Sequence, residues 1–149
     1  ISVETIFCDI NLRQKYFSKD IVKKSLNHAD IVKINDDEHR QLSLLLYNCE
    51  ISQQDLYYRF KKDFGVELLL VTCGKDGCNI FDNKGWFHNE TVDVDVVDTI
   101  GAGDAFSAAF LYNFLKGEDL THCANEANKL GAYIASQSGS VPTCGIEVA

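Results

Sequence analysis

The chain has 149 residues, with 14 basic and 22 acidic side chains and a formal net charge of −8 at pH 7. This charge argues against nucleic acid or an anionic membrane as a partner, because phosphate groups would be repelled over most of the surface. The content of 46% hydrophobic and 24% charged residues is typical of a globular protein and argues against disorder, collagen-like repeats and coiled coil.

The first half of the chain alternates short apolar runs with helical patterns. Ser18 and Ser52 are expected helix N-caps, and Gly65 is an expected helix end. The run at 67–72 is continuously apolar, which is typical of a strand buried on both faces of a parallel sheet. The predicted strands are 3–8, 30–34 and 67–72, and the predicted helices are 19–29, a stretch through 42–46, and Gln53–Phe64.

The second half is predicted to begin with a hairpin, because 79–81 and 86–88 flank the turn sequence Asp-Asn-Lys-Gly. Valine alternates with aspartate over 92–97, which predicts an edge or half-exposed strand. Helices are expected over 102–116 and 120–137. Strands that alternate with helices predict an α/β domain with a largely parallel sheet.

The six cysteines indicate the compartment. The sequence contains no C-x-x-C pair and no closely spaced histidine pair, so we do not expect a structural zinc site. Small buried thiols in a reducing cytoplasm are the simplest interpretation. The chain also lacks methionine altogether, which is unusual at this length, and we therefore expect a piece of a larger protein.

The glycine-rich stretch 97–106 carries the clearest chemical signal. A predicted strand ends there, two glycines follow one residue apart, and a helix begins at once. Backbone N–H groups at such a turn can converge on an anion at the positive end of a helix, and phosphate is the natural guest. Asp104 beside this turn fits a general base that takes a proton from an attacking hydroxyl. It equally fits a first-turn acid that the helix dipole favours, so the residues alone leave both interpretations open.

Two familiar phosphate-binding motifs do not match the sequence. A dinucleotide fingerprint needs glycine where Phe106 stands. The phosphate-binding P-loop needs glycine where Leu69 stands, five residues before Gly74.

Residues 98–104, which read Asp-Thr-Ile-Gly-Ala-Gly-Asp, resemble the D-T-x-G-A-G-D signature of the ribokinase-like (PfkB) sugar kinases. Residues 35–38 are similar to the N-x-x-E motif of that family, and residues 72–77 to its T-x-G-x-x-G turn. Residues 9–13 resemble the D-x-N-x-R segment of fructokinase-like and ketodeoxygluconate-kinase-like members. The resemblance implies a ribokinase-like three-layer α/β/α fold, of which residues 1–149 would be the C-terminal, ATP-binding and catalytic half.

The resemblance also implies a role for each matching residue. Asp104 would be the catalytic base, and the N–H groups of Ile100, Gly101, Ala102 and Gly103 would form an anion hole for the γ-phosphoryl group. Asn35 and Glu38 would help to hold Mg²⁺, largely through water, and Asp98 with residues 136–140 would form a K⁺-type site. The implied ATP-binding residues are Thr72, Gly74, Lys75, Gly77, Asn128 and Gly139, and the implied substrate or phosphate contacts are Asp9, Asn11 and Arg13.

Several of these residues also have structural explanations. Asn35 and Glu38 fit a helix N-cap with a first-turn acid. Asn128 fits a solvent-facing helix position, the glycines fit plain turns, and Arg13 fits a solvated charge at a strand end.

The implied activity is ATP-dependent phosphorylation of the primary hydroxyl of a sugar, with a fructokinase-like branch favoured by residues 9–13. The alternatives are a kinase of another sugar, a sugar acid or a nucleoside, or a non-catalytic nucleotide-binding homologue. In this family the first half supplies most of the sugar pocket and a small sheet that acts as a lid and as the dimer interface. We therefore expect residues 1–149 alone to have little or no kinase activity.

Overall fold

The computed structural model describes residues 5–12 and 17–139. The chain divides into two compact units. The sheet unit comprises Ile1–Gly74 and Cys78–His88, and the helix unit comprises Lys75–Gly77 and Asn89–Ala149. Arg13, Ser140 and Cys144 lie outside the described residues, as does the start of the strand predicted at 3–8.

The sheet has five strands in the order β1-β2-β3-β4-β5. The first three strands are parallel, β4 is antiparallel to β3, and β4 and β5 form the hairpin predicted from the turn at 82–85. The α/β class and the largely parallel sheet are thus confirmed. The strands are β1 Phe7–Asp9, β2 Ile31–Asn35, β3 Leu68–Thr72, β4 Cys78–Asp82 and β5 Gly85–Asn89.

Three helices belong to the sheet unit, namely α1 Lys19–Leu26, α2 Asp36–Tyr47 and α3 Gln53–Phe64. Ser18 and Ser52 cap α1 and α3 as predicted, and Gly65 ends α3 in a left-handed conformation. Helix α2 begins at Asp36, six residues before the predicted stretch, because the side chain of Asn35 caps it directly after β2.

One face of the sheet carries the core of this unit. Val32 and Ile34 of β2 and Leu69 and Val71 of β3 are fully buried, and the burial of β3 agrees with the continuous apolar pattern of residues 67–72. They belong to one cluster with side chains from all three helices, which include Leu26, Leu42, Leu56 and Phe60. Each such side chain contributes about 1.5–3 kcal/mol when it is removed from water.

The helix unit contains α4 Ala102–Leu115 and α5 Leu120–Ala135, which pack against each other. The side chain of Asp119 caps α5 by accepting a hydrogen bond of 2.9 Å from the N–H of His122. On α4, Phe106 and Phe110 are buried and their rings stack at 6.4 Å.

The prediction of a strand at 92–97 is wrong, because residues 90–96 form neither a helix nor a strand. The alternation of valine and aspartate gives one apolar edge, but a strand also needs a neighbour that accepts its backbone hydrogen bonds. At the end of this stretch, the N–H groups of Val97 and Asp98 both donate to the carbonyl oxygen of Ala135, at 2.8 and 3.1 Å. The segment therefore joins the end of α5 and not the sheet ladder.

Candidate active site

The glycine turn before α4 has an unusual helix start. Gly101 is the N-cap residue with φ 83°, and no side chain caps this helix. The carboxylate of Asp98 accepts a hydrogen bond of 2.9 Å from the N–H of Ile100, and the N–H of Ala102 donates to the carbonyl of Thr99 at 3.2 Å. Within the described part of the chain, the N–H groups of Gly101, Gly103 and Asp104 have no acceptor.

These free donors refine the predicted anion hole. Two of its four N–H groups, those of Ile100 and Ala102, are already bonded within the turn. The donors that remain for a ligand are those of Gly101, Gly103 and Asp104, at the positive end of a 14-residue helix.

Asp104 lies in the first turn of α4 and is exposed. Its carboxylate makes no hydrogen bond and no ion pair with the residues that the structure describes. The side chain is therefore available to a ligand, and it lies next to backbone donors that favour an anion. This arrangement suits a proton acceptor placed beside a phosphate site.

Gly131 of α5 is a residue that the sequence analysis missed. A Cβ atom at this position would lie 3.3 Å from the carbonyl oxygen of Ala102 and 3.6 Å from the Cβ of Phe106. The absence of a side chain thus lets α5 approach the first turn of α4 closely. Its position within a run of small residues, Gly-Ala at 131–132, was the available signal.

Asn128 of α5 is buried, with 5% of its surface exposed, which contradicts the solvent-facing alternative. Its amide nitrogen donates to the side-chain and main-chain oxygens of Asn89, at 2.7 and 3.1 Å, and to the carbonyl of Glu90 at 3.3 Å. The amide of Asn89 in turn donates to Asn125 at 2.9 Å. Asn128 therefore ties residues 89 and 90 to α5 within the helix unit, and its role at adenine stays a prediction.

Gly77, the last residue of the predicted nucleotide turn, is tightly enclosed. Its φ of 89° is left-handed, and a Cβ atom there would overlap the carbonyl oxygen of Asn89 and approach the nitrogen of Thr91 to 2.9 Å. Residues 75–77, 89–91 and α5 are consequently brought together in the helix unit.

In the sheet unit, Asn35 and Glu38 form a reciprocal capping box. The N–H of Glu38 donates to the side chain of Asn35, and the N–H of Asn35 donates to Oε2 of Glu38, both at 2.9 Å. Oε1 of Glu38 accepts a third hydrogen bond, of 3.0 Å, from the N–H of Leu12. The structural explanation for this pair is thus correct, and each carboxylate oxygen keeps a second lone pair for a water or a cation.

Lys33, which the sequence analysis did not single out, contributes a positive charge near Glu38. Burial raises the pKa of the Glu38 carboxyl, while the N–H groups of Asn35 and Leu12 and the nearby Lys33 lower it. Lys33 itself donates to both carboxylate oxygens of Asp9 at 3.1 Å. An isolated lysine in an apolar strand was the only sequence signal for this group.

The turn after β3 begins with partly buried residues and continues with exposed ones. The hydroxyl of Thr72 donates to the carbonyl of Ile34 at 3.3 Å. Burial, followed by a hydrogen bond with Asp36, raises the pKa of the Cys73 thiol to about 12, so this thiol stays protonated at neutral pH. Gly74 and Lys75 are exposed.

The structure therefore groups the predicted residues by unit. Asp9, Asn35 and Thr72 end three adjacent parallel strands, and Glu38 lies in the first turn of the helix that follows Asn35. Ligands bind at this edge in open α/β sheets. The carboxylate of Asp98 accepts a hydrogen bond from the glycine turn that precedes Asp104. Gly77 lies against the backbone of Asn89, and Asn89 is hydrogen-bonded to Asn128. Asn11 is exposed, and Gly139, with φ 82°, is the last described residue.

The donor set near Glu38 is compatible with Mg²⁺ and not with a metal cage. The described residues contain no group of three or more His, Cys, Asp or Glu side chains that could hold a metal ion. Mg²⁺ usually keeps several waters and binds one or two carboxylates together with substrate phosphates, which one or two acidic side chains at this position would satisfy. No helix among the described residues is both long and apolar enough to cross a membrane.

Comparison with known proteins shows the family of the chain. Residues 3–144 match the family model described as pfkB family carbohydrate kinase. The chain is 35% identical to the ATP-dependent ribose-1-phosphate kinase of Halopiger xanaduensis, with 80% of this chain and 38% of that protein covered. It is 34% identical to fructokinase-2 of Zea mays, with 76% and 35% covered.

A solved structure has the same fold. The aminoimidazole riboside kinase of Salmonella enterica, complexed with aminoimidazole riboside and an ATP analog, gives a TM-score of 0.77 at 29% identity, with 91% of this chain and 47% of that chain covered. The ribokinase-like fold is therefore confirmed. The chain spans less than half the length of these relatives. With the signature at 98–104 and the family match over nearly all its residues, the chain belongs to the PfkB family of carbohydrate kinases.

Proposed function

We propose that residues 1–149 are the ATP-binding, catalytic half of a kinase that transfers the γ-phosphoryl group of ATP to the primary hydroxyl of a sugar. The observation that carries this proposal is the start of α4, where the exposed carboxylate of Asp104 adjoins three unbonded backbone N–H groups. A phosphate-binding module without catalysis has no use for a carboxylate at this position, because the negative charge would repel its ligand.

In the proposed mechanism, Asp104 accepts the proton of the attacking hydroxyl. The N–H groups of the glycine turn, with the dipole of α4, stabilise the charge that develops on the transferred phosphoryl group. Phosphoryl transfer depends mostly on positioning and charge neutralisation, so these fixed donors suit the reaction. Mg²⁺, held by Asn35 and Glu38 largely through water, would neutralise phosphate oxygens.

The remaining predicted residues complete the proposed nucleotide site. Gly77 is supported by its close contact with the backbone of Asn89, and Lys75 by its exposure as a cation. Asn128 supports the site indirectly, because it holds residues 89 and 90 to α5, and Gly77 packs against the backbone of Asn89. Our proposed ATP-binding set is Thr72, Gly74, Lys75, Gly77, Asn128 and Gly139.

Residues 9–13 are the basis for proposing a fructokinase-like substrate. The similarity to fructokinase-2 of Zea mays supports this branch. Similarity to kinases of ribose-1-phosphate and of aminoimidazole riboside supports a phosphorylated sugar or a nucleoside as the second candidate. We also propose a cytoplasmic enzyme, a K⁺-type site that uses Asp98, and a dimer formed through the lid of the complete protein.

The test is a coupled ADP-release assay of the full-length protein with ATP, Mg²⁺ and a panel of hexoses, pentoses, sugar acids and nucleosides. We expect fructose to give the highest kcat/KM. We expect Asp104→Asn to lower kcat about 100-fold or more with an unchanged fold, because a general base contributes roughly 10²–10⁴-fold.

Asp20→Asn is the matched control, since Asp20 is also an exposed acid in the first turn of a helix. It should leave kcat within twofold of the wild type. Turnover by Asp104→Asn within a few-fold of the wild type would show that Asp104 is not the base.

A further inference from the structure

Lys33 is a buried cation whose surroundings link two predicted motifs. It lies on β2 with only 6% of its surface exposed. Asp9 is its register partner on the parallel strand β1, so the two side chains leave the sheet on the same face. The Lys33 ammonium donates to both oxygens of the Asp9 carboxylate at 3.1 Å. The backbone continues the link, since the N–H of Ile10 donates to the carbonyl of Lys33 at 3.0 Å.

Leu12, which follows β1, is hydrogen-bonded to the first turn of α2. The N–H of Leu12 donates to Oε1 of Glu38 at 3.0 Å, while Oε2 of the same carboxylate accepts from the N–H of Asn35. Glu38 is 5% exposed. The side chain of Glu38 thus connects the D-x-N-x-R segment with the N-x-x-E motif.

Electrostatics favour the ammonium of Lys33 at this position. Asp9 and Glu38 are both acidic, and Asp9 raises the pKa of Glu38 while Lys33 lowers it. Two neighbouring carboxylates disfavour each other's charged form, and the positive charge of Lys33 offsets that repulsion. Removal of the ammonium would therefore favour separation of the 9–12 segment from α2.

We propose that Lys33 is a positioning residue that, by pairing with Asp9, holds residues 9–12 against the N-terminus of α2 and so fixes the Glu38 side chain in its orientation. This inference deepens the proposed function, since Glu38 is the residue that we assign to Mg²⁺. Lys33 acts through Asp9 and Glu38 and is not itself a catalytic residue.

The first test is amide hydrogen exchange in the full-length protein carrying Lys33→Met, which keeps a long unbranched side chain and removes the charge. We expect the amides of Leu12 and Asn35 to exchange about tenfold faster, because their shared acceptor is released. The amide of Leu70, in the middle of β3, should keep its wild-type rate. Lys33→Arg, which retains a cation, should return both rates toward the wild type.

The second test is the Mg²⁺ dependence of ADP formation by the same proteins. Lys33→Met should raise the Mg²⁺ concentration at half-maximal rate about tenfold, as loss of a group that orients a metal ligand commonly does. Lys33→Arg should restore it in part. Arg40→Met is the matched control, because Arg40 pairs with Glu50 at 3.7 Å with both side chains 65% exposed, and it should change neither readout.

Unchanged exchange at Leu12 and Asn35 in Lys33→Met would overturn the inference. So would an equal rise at Leu70, or an unaltered Mg²⁺ dependence in an active enzyme. A wild-type protein that forms no ADP with any substrate overturns the proposed function, whereas the exchange rates still decide the role of Lys33.

Discussion

Gly77 shows how one residue of a motif can be required by packing while its neighbour is not. Both Gly74 and Gly77 have left-handed backbones, with φ 54° and 89°. A Cβ atom at Gly74 would meet nothing within 4 Å, whereas at Gly77 it would overlap the backbone of Asn89. Backbone atoms of a strand end cannot move aside as a flexible side chain can, so only the second position excludes alanine on steric grounds.

We predict that Gly77→Ala lowers the free energy of unfolding by about 3 kcal/mol or more, through backbone strain together with the overlap. Gly74→Ala should cost about 1 kcal/mol, since only the left-handed conformation opposes it. Urea denaturation of the two variants measures both values. Equal losses would mean that the close approach to Asn89 does not constrain this turn.

At the scale of elements, α5 is held to residues 89–91 by amide side chains. The buried amide nitrogen of Asn128 shares its two N–H donors among three oxygen atoms, while Asn125 accepts a single hydrogen bond at the exposed side of the same network. Asn125 and Asn128 are the same residue type on the same helix. They differ in burial and in the number of their hydrogen-bond partners. This pair therefore isolates the contribution of a buried polar contact.

Asn128→Leu should lower the free energy of unfolding by about 2 kcal/mol, because it leaves the side-chain and main-chain oxygens of the buried Asn89 without this donor. Asn125→Leu, at an exposed position, removes one acceptor from the amide of Asn89 and should cost about 1 kcal/mol or less. Thermal or urea unfolding gives both numbers. A cost at Asn128 no larger than that at Asn125 would show that the buried amide contributes no more than the exposed one.

At the scale of the whole molecule, α4 carries apolar residues on all sides, yet Tyr112 and Leu115 are 61% and 75% exposed. A helix that is apolar all round is usually buried. The chain also spans only 35–38% of the Zea mays and Halopiger relatives, and no motif of the first half of the family was found in it.

We therefore predict that residues 1–149, expressed alone, bind ATP weakly and form no ADP in response to sugar, whereas the full-length protein does. Calorimetric titration with ATP and the coupled ADP assay measure the two properties. The full-length protein assayed in parallel is the control. Robust sugar-dependent ADP formation by the 149 residues would contradict the prediction.

Much of the fold could be read from local patterns, since caps, apolar periods and turns depend on neighbouring residues. Ser18, Ser52 and Gly65 mark helix ends because their effects act within one turn. The strand prediction at 92–97 failed because strand formation does not depend on neighbouring residues alone. Strand formation requires a partner that is distant in sequence, and periodicity does not specify where a backbone N–H finds its acceptor.

The sequence by itself determined the α/β class, the family signature at 98–104 and the order of the motifs, because each depends on residues close together in the chain. The tertiary structure decided which backbone donors of the glycine turn remain free, that Asn128 faces inward, and that Lys33 neutralises Asp9 beside Glu38. These outcomes depend on burial and on distances between separate elements. Hydrogen-bond partners and neighbouring charges of that kind are set only when the chain has folded.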